Sequence, residues 1–357
     1  MNETRYFPPA SDKSRWRRPA NERELSELCG INQEKLEKAL KLHRFSYEGN
    51  SYGLAIIRHG YLAYEFYTDD MRAHSLRQVY SCTKAVTSLL IGMLIHKKNS
   101  PDFTLDSPAY QFMPEGKEEL LADMRKRKIT IRNLLSMSSG IPGEYDGALG
   151  IFKVPVEENE IDYVLGKVKG TDGTDYGKLY YEPGSSWDYS CPCYSQLGMI
   201  FQEVAGVSMA QYAKEKLFDP IGITDWYWEE FGGFGRNRYT CGDQGLAISV
   251  LDFAKLGYLL LNNGQWEDMQ IIPEDYIKEA AAPGTPHNPR YGLGFWTNIA
   301  ESSANRLPED MYHLKGHKSN ILTVIPSLDL VVARVSMGPN VYKADNLLKQ
   351  VAAAIEK

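Results

Sequence analysis

The sequence predicts an α+β fold, in which strands from both ends of the chain share one antiparallel sheet. Two β-rich runs stand near the start of the 357 residues, and three more stand in the last third. Helical patterns with long polar connections fill the chain between them. This order favours a sheet that both termini build, with helices on its faces and a helical insertion.

The first elements are a helical stretch, a hairpin and a second helix. Residues from about 22 to 44, "ERELSELCGINQEKLEKALKLH", have helical periodicity that Gly30 interrupts. In "YGLAIIRHGYLAYEFY", two short β-rich runs around "RHG" indicate a hairpin. The stretch "QVYSCTKAVTSLLIGMLIHKK" predicts an amphipathic helix, with Ser81 and Lys84 one turn apart at its start.

From about residue 100 to 285 the pattern is helical, with candidates "IRNLLSM", "YSQLGMIFQEVAG", "SMAQYAKEKLF" and "VLDFAKLGYLLLNNG". Long connections such as "GEYDGALGIFKVPVEENE" and "KGTDGTDYGKLYYEPGSSW" are typical of binding or lid segments. The last third returns to strands, "YGLGFWTN", "NILTVIP" and "LDLVVARVSM", before a closing helix "ADNLLKQVAAAIEK". We therefore expect an N-terminal helical arm (1–45), a sheet domain (46–99 plus 285–357) and a helical domain (100–284).

Composition excludes several classes of function. The chain is 43% hydrophobic and 24% charged, which is ordinary for a globular protein, and its net charge of -6 gives no basic surface for nucleic acid. No apolar run is long enough to span a bilayer, and the first residues contain no apolar segment of a secretory signal. We expect a cytoplasmic protein, or an exported one whose leader is not part of this sequence.

The sequence contains no motif that indicates a metal or cofactor site. Five cysteines are an odd number without metal-ligand spacing, so we expect them to be mostly reduced. The seven histidines are scattered without an H-E-x-x-H pattern, which argues against a metallohydrolase. A G-x-S-x-G motif is missing, which argues against an α/β-hydrolase. We expect neither a metal nor a cofactor.

The pair Ser81 and Lys84 has the spacing of a nucleophile and its base. A serine hydroxyl needs a base within hydrogen-bond reach. At a helix start, free backbone N–H groups and the helix dipole favour negative charge, and a lysine at i+3 lies on the same face. Burial and the dipole are expected to push Lys84 toward its neutral form. The alternative is an N-cap serine beside a solvated lysine, because S-x-x-K is common by chance.

Two later stretches supply candidates for the same site. Tyr189 stands in a polar turn before an apolar helix, where its phenol can project beside Ser81; a half-buried loop anchor is the alternative. Gly316 and His317 stand at the entry to a β-strand. A backbone N–H there can supply one arm of an oxyanion hole, with the Ser81 N–H as the other. The alternative for His317 is a turn histidine without a function.

These motifs, in this order, resemble the serine β-lactamase and penicillin-recognising superfamily, whose elements are S-x-x-K, Y-x-N and K-T-G. Segments similar to the class C-like branch run nearly end to end: "ITIRNLLSMSSGIP", "YEPGSSWDYS", "LFDPIGITDWYW", "GLAISVLDFAKLGYLLLNNGQW" and "IPSLDLVVARV". "TDWYWEE" and "NNGQWEDMQIIPEDYI" are similar to the esterases and 6-aminohexanoate-dimer hydrolases of that branch.

The resemblance implies a β-lactamase/transpeptidase-like fold and a role for each matching residue. Ser81 would be the acylating nucleophile, and Lys84 would take its proton or hold it through Tyr189. Tyr189 would act as general base and then as acid, and His317 occupies the position of the lysine in K-T-G. The implied substrate-binding positions are Cys191, Lys318, Ser319 and Asn320.

Two departures from the family pattern bear on the substrate. Cys191 replaces the asparagine whose amide binds the carbonyl of β-lactams and peptides, and Lys318-Ser319 replaces T-G, where the family keeps room for its ligand. The resemblance therefore implies a serine hydrolase of carboxylic esters or small amides. A β-lactamase or D-Ala-D-Ala peptidase is one alternative, and a catalytically silent ligand-binding member of the fold is another. Retention of Ser81, Lys84 and Tyr189 together argues against the silent member.

Overall fold

Helices and short strands make up the described part of the computed structural model, residues 5–10, 16–46, 50–97, 102–146, 151–152, 160–232, 238–338 and 344–356. The α-helices are α1 (Glu22–Cys29), α2 (Gln33–Ser46), α3 (Thr83–Ile95), α4 (Lys117–Leu120), α5 (Ile131–Leu135), α6 (Glu160–Val164), α7 (Cys191–Ala205), α8 (Met209–Ala213), α9 (Val250–Leu261), α10 (Glu274–Ala280), α11 (Ser302–Asn305) and α12 (Ala344–Ala354). The strands are β1 (Tyr52–Arg58), β2 (Tyr61–Tyr67), β3 (Arg77–Gln78), β4 (Tyr145–Asp146), β5 (Ile151–Phe152), β6 (Trp226–Trp228), β7 (Glu230–Phe231), β8 (Tyr239–Thr240), β9 (Leu246–Ile248), β10 (Gln265–Trp266), β11 (Met269–Gln270), β12 (Trp296–Thr297), β13 (Tyr312–Gly316), β14 (Asn320–Ile325) and β15 (Leu330–Ser336).

Strands from both ends of the chain form one six-stranded antiparallel sheet, in the order β12-β13-β14-β15-β1-β2. The two groups of strands join where β1 pairs with β15, from Tyr52 opposite Ser336 to Arg58 opposite Leu330. Every residue of these two strands is buried, since helices cover both faces of the sheet at its centre. The predicted sheet built from both termini is confirmed.

The two faces of β1 contact different sets of helices. Successive side chains of a strand point to opposite faces. Accordingly, Leu54 and Ile56 belong to the core that α1, α2 and α12 cover, whereas Ala55 and Ile57 belong to the core that contains α3, α7 and α9. The sheet therefore separates the layer of terminal helices from the layer that carries the candidate site.

The predicted helix end at Gly30 and the predicted hairpin around "RHG" are both confirmed. Helix α1 ends at Gly30, whose left-handed φ of 55° lets its N–H cap the helix. The turn between β1 and β2 consists of His59 and Gly60, both with positive φ (52° and 77°). Such a two-residue turn matches the twist of a hairpin, as predicted around "RHG".

Helix α3 is buried on all sides rather than amphipathic, so the predicted amphipathic pattern is wrong. Its residues from Thr83 to Gly92 are all buried. The polar ones have internal partners: Thr87 donates to the Gly242 carbonyl at 2.7 Å, and the Ser88 and Tyr276 hydroxyls lie 2.8 Å apart.

Among the described residues, no helix combines the length and apolar character that crossing a bilayer requires.

The segment between the two halves of the sheet contains the predicted helices, present as α5, α7, α8 and α9. It also contains short strand pairs that the sequence did not predict, including the three-stranded sheet β3-β9-β6. Of the predicted strand at 291–298, only β12 is present, whereas β13 was not predicted. The strands β3, β6, β9 and β12 have only two or three residues, which is too short to show an alternating pattern. The loop predicted at 143–160 lies largely outside the described residues, and the division into three domains stays a proposal.

We predict that Gly316→Ala destabilises the protein by about 2 kcal/mol or more, because overpacking a filled site forces backbone shifts. A Cβ at Gly316 would lie 2.0 Å from the Val79 carbonyl oxygen, a backbone atom that cannot rotate away. The matched control is Gly53→Ala in β1, where the nearest atom is a side-chain carbon of Val250 at 3.2 Å. Urea denaturation measures both. Equal losses in the two variants would contradict the close packing at Gly316.

Candidate active site

Ser81 and Lys84 contact each other at the start of α3. Ser81 lies on the 3₁₀ turn Tyr80–Cys82 that precedes the helix, and Lys84 lies in the first helical turn. The Lys84 Nζ donates to the Ser81 Oγ at 3.1 Å. Lys84 is only 1% exposed, whereas Ser81 is partly exposed. The predicted pair is therefore a buried amine beside an accessible hydroxyl.

Two further acceptors complete the surroundings of Lys84. Its Nζ donates to the Cys191 Sγ at 3.3 Å and to the Asp243 carbonyl oxygen at 2.9 Å. An ammonium has three donor hydrogens. Together with Ser81, the three acceptors match the charged form of Lys84. Asp243 was not predicted, because its hydrogen bond with Lys84 is made by a backbone carbonyl that any residue possesses.

The protonation of Lys84 differs from the sequence-based expectation. Burial lowers the pKa of its ammonium, but the neighbouring acidic groups, Cys191, Tyr189 and Asp243, outweigh burial, and the pKa lies well above its ordinary value. Lys84 is therefore a cation in the resting site. The expectation of a neutral lysine is wrong, because it considered burial and the helix dipole but not the groups that α7 and the Asp243 segment bring to the amine.

Tyr189 lies beside this pair, in the extended segment that leads into α7. The Lys84 Nζ is 5.1 Å from the centre of its ring. Burial raises the pKa of Tyr189 to about 12, while the Lys84 charge and hydrogen bonding by Ser81 and Lys84 lower it. The predicted neighbours Ser81, Lys84 and Tyr189 thus lie together, and the phenol holds its proton near neutral pH.

An aromatic wall surrounds Tyr189; we use this name for Trp187, Tyr189, Tyr291 and Trp296. The ring of Tyr291 lies 5.0 Å from that of Trp296 and 5.8 Å from that of Trp187, edge to face in both cases. Trp187, Tyr189 and Trp296 are each partly exposed. Because Tyr189 is also hydrogen-bonded to Ser81, the aromatic wall adjoins the Ser81–Lys84 pair.

Cys191, at the first position of α7, is bonded to a carboxylate that the sequence did not single out. Its backbone N–H lies 2.9 and 3.0 Å from the two carboxylate oxygens of Glu144. Glu144 is 1% exposed. Burial raises the pKa of Glu144 to about 7, against the lowering effects of hydrogen bonding by Cys191 and of the Lys84 charge. Nothing in its polar loop, "GEYDGALG", distinguishes this glutamate from a solvated one.

The end of β13 lies against the backbone that leads to Ser81. Gly316 is packed on the Val79 carbonyl, and the exposed His317 ring lies edge to face on Tyr80, 5.4 Å between centres. Partial burial and the Lys318 charge lower the pKa of His317 below its ordinary value. The predicted strand entry is a short turn, His317–Ser319, between β13 and β14. The oxyanion-hole arm at this turn stays a prediction.

The other predicted binding residues belong to the same turn. Lys318 and Ser319 have left-handed φ values of 57° and 64°. The Asn320 amide donates to the His317 carbonyl at 2.7 Å and to the Ser336 carbonyl at 3.1 Å, while Arg334 donates to the Ser319 carbonyl at 2.8 Å. Asn320 is therefore engaged with backbone groups, and its role in binding substrate stays a prediction.

The arrangement combines an accessible hydroxyl, a buried cation and a phenol within hydrogen-bonding range of one another. Such a group can move a proton from the hydroxyl and stabilise the charge that results. Within the described ranges, no group of three or more His, Cys, Asp or Glu side chains could hold a metal ion. The five cysteines, all among the described residues, are buried and form no disulfide.

Comparison with known proteins identifies the family. The family model described as Beta-lactamase matches residues 36–355, which confirms the resemblance found in the motifs. Penicillin-binding protein 4* of Bacillus subtilis is 30% identical over 100 residues, covering 27% of this chain and 20% of that protein. Lovastatin esterase of Penicillium rubens is 25% identical over 217 residues, covering 50% of this chain and 53% of that protein. The chain thus spans a fifth and about half of the length of these two curated relatives.

Solved structures confirm the predicted fold. A protein from Bacillus anthracis, assigned as a 6-aminohexanoate-dimer hydrolase, superposes with a TM-score of 0.65. It is 20% identical, and the match covers 88% of this chain and 80% of that one. At this identity the likeness establishes the β-lactamase/transpeptidase-like fold alone.

We predict that Glu144→Gln makes the protein more stable at neutral and higher pH. The folded-state pKa of about 7 lies above the ordinary 4.5, so the native state holds this proton more tightly than the unfolded state. Stability is therefore fully present below 4.5 and is lost as pH rises to about 7, by roughly 3 kcal/mol for a shift of this size. The Gln variant lacks this loss. Urea denaturation across this pH range measures the difference, and exposed Glu203→Gln on α7 is the control; parallel profiles of wild type and Glu144→Gln would contradict the assignment.

Proposed function

Because the chain belongs to the Beta-lactamase family, whose model matches residues 36–355, we propose that it is a serine hydrolase that cleaves carboxylic esters or small amides through an acyl-enzyme on Ser81. One observation carries the proposal: the Lys84 Nζ donates to the Ser81 Oγ at 3.1 Å, with Tyr189 beside both groups. A nucleophile in contact with its proton-transfer partners is the minimum that acyl transfer requires.

Lys84 and Tyr189 accept the proton of Ser81 and later return it. Both groups are protonated near neutral pH. The reactive form is therefore the one in which the pair has lost one proton, so that it can accept the Ser81 proton. The Ser81 Oγ then attacks the acyl carbon, the pair returns the proton to the departing alcohol or amine, and water releases the acid by the reverse sequence. Tyr189 serves as base in the first step and as acid in the second.

The oxyanion that forms during acylation needs donors close to Ser81. We assign these to the Ser81 N–H and to a backbone N–H of the turn after Gly316. The tight packing of Gly316 on Val79 supports this assignment, because it holds the turn beside the residues that precede Ser81. His317, which stands where the family has its K-T-G lysine, would contribute at the same edge.

The surroundings of Ser81 favour esters over β-lactams. The Cys191 sulfur accepts from Lys84, and its thiol is hydrogen-bonded to Glu144, so it is not free to bind a substrate carbonyl as an asparagine amide would. Lys318 and Ser319 add side chains at the strand edge. The aromatic wall offers apolar contact for an acyl or alcohol group. One relative is named lovastatin esterase, which supports the same substrate class.

A catalytically silent ligand-binding protein and a β-lactamase or D-Ala-D-Ala peptidase are the rival functions. The resemblance to penicillin-binding protein 4* supports the second, and a fold can persist without activity. A fluorophosphonate probe separates the first rival from the proposal, because a silent protein leaves Ser81 unmodified.

We predict that Ser81→Ala abolishes ester hydrolysis while the fold is retained. The Ser81 oxygen forms the acyl bond, and removing a nucleophile that acts as part of a unit typically costs about 10⁴-fold or more in kcat. Hydrolysis of p-nitrophenyl butyrate and the melting temperature should be measured on the same preparation. Retention of most of the activity in pure protein would exclude the Ser81 mechanism.

We also predict that kcat/KM for p-nitrophenyl butyrate exceeds that for nitrocefin. A missing donor at Cys191 costs roughly 1–3 kcal/mol, or about 5- to 150-fold, for a substrate whose carbonyl needs it. Cys191→Asn restores the amide and is expected to raise nitrocefin turnover. A wild-type preference for nitrocefin would make the protein a β-lactamase, and no gain in Cys191→Asn would show that Cys191 does not occupy the family's asparagine position.

A further inference from the structure

We propose that Glu144 is a positioning residue of this site: its carboxylate holds Cys191 and, through the Cys191 sulfur, the Lys84 ammonium. The inference rests on the function proposed above, since it concerns how Lys84 and Tyr189 exchange protons with Ser81. The hydrogen bonds given for Glu144 go to Cys191 and not to Ser81. It acts through its neighbours.

The contacts form a continuous chain from the carboxylate to the nucleophile. Glu144 accepts the backbone N–H of Cys191 with both oxygens, at 2.9 and 3.0 Å, and is also hydrogen-bonded to the Cys191 thiol. The Cys191 sulfur accepts from the Lys84 Nζ at 3.3 Å, and the same nitrogen donates to the Ser81 Oγ at 3.1 Å. A displacement of Glu144 therefore changes the position of the sulfur that the amine contacts.

The loop before Glu144 is packed on the backbone of Tyr189. The Gly143 N–H donates to the Asp188 carboxylate at 2.8 Å. A Cβ at Gly143 would lie 2.6 Å from the Tyr189 carbonyl oxygen and 2.3 Å from an Asp188 oxygen. Only glycine fits between these atoms without a shift. Glu144 is thus held against the segments that carry Tyr189 and Cys191.

The charge of Glu144 acts on the same groups. A carboxylate that is 1% exposed needs a compensating cation, and the Lys84 charge acts on it directly. The titratable groups that act on Glu144 or on the residues around it are Lys84 from α3, Cys191 and Cys193 from α7, Tyr163 from α6, and Tyr176, Asp188 and Asp243 from the connecting segments. Lys84 is the cation of this set, and the others are neutral or acidic.

The sign of the effect follows from this charge. The reactive form of the Lys84–Tyr189 pair has lost one proton, and a nearby negative charge opposes that loss. Glu144 carries its charge above about pH 7 and is therefore charged at the higher pH at which the pair loses its proton. Removing the charge should therefore let the pair become reactive at lower pH.

The test is the pH dependence of Ser81 labelling by a fluorophosphonate probe. In Glu144→Gln, which keeps the size and one acceptor of the side chain, the midpoint of the rise in labelling rate should move down by about one pH unit or more. Glu144→Asp keeps the charge and should keep the wild-type midpoint, at a lower rate. The exposed Glu203→Gln on α7 should change neither.

Each other outcome has a definite meaning. If Glu144→Gln lowers the labelling rate equally at every pH without moving the midpoint, Glu144 is merely structural and the inference is wrong. A midpoint moved down by about one unit in Glu144→Asp, which retains the carboxylate, overturns it as well. If wild-type Ser81 is not labelled at any pH, it is the proposed serine hydrolase function that fails. Melting temperatures of all variants establish that each is folded.

Discussion

The buried ammonium of Lys84 is the constraint on which the centre of this protein depends. Taking an ammonium out of water costs several kcal/mol, and this cost is offset only when its N–H groups have close hydrogen-bond acceptors. The three acceptors come from separate parts of the chain: the turn before α3, the start of α7 and the Asp243 segment before β9. These parts have to meet at one point for the fold to hold the charge. Ser81 is one of the three acceptors, so the same contacts that stabilise Lys84 also position the Ser81 hydroxyl.

The sheet supplies the fixed side of the site. Its strand β13 ends against Val79. The side chains of Asn320 and Arg334 donate hydrogen bonds to the turn that follows. Both side chains bond backbone carbonyls of the turn, which stabilises the two left-handed residues there against their conformational cost. The helical side carries Lys84 and Tyr189, to which we assign proton transfer, and the sheet side provides a rigid edge. The candidate site lies where the two meet.

The sequence predicted the groups that act through their side chains in recognisable spacing. Ser81 and Lys84 lie in contact, and Tyr189 lies beside them, as the motif order implied. Glu144 and Asp243 were not predicted: Glu144 is an acidic residue in a polar loop, and Asp243 accepts the Lys84 hydrogen bond with its backbone carbonyl. The charge of Lys84 was predicted with the wrong sign of shift, because the groups that determine it are distant in sequence. Spacing identifies partners within one helix, but contacts across the fold decide their protonation.

The pairing of β1 with β15 has a consequence for how the chain is made. Tyr52 and Ser336 become neighbours in the sheet although most of the chain lies between them. During synthesis, the apolar strand β1 emerges long before the strand that covers its open edge. Such long-range pairing folds slowly and leaves hydrophobic surface exposed in the meantime. The edge of β1 that β15 covers therefore stays open until nearly the whole chain has been made, longer than in a protein whose sheet is closed by local hairpins.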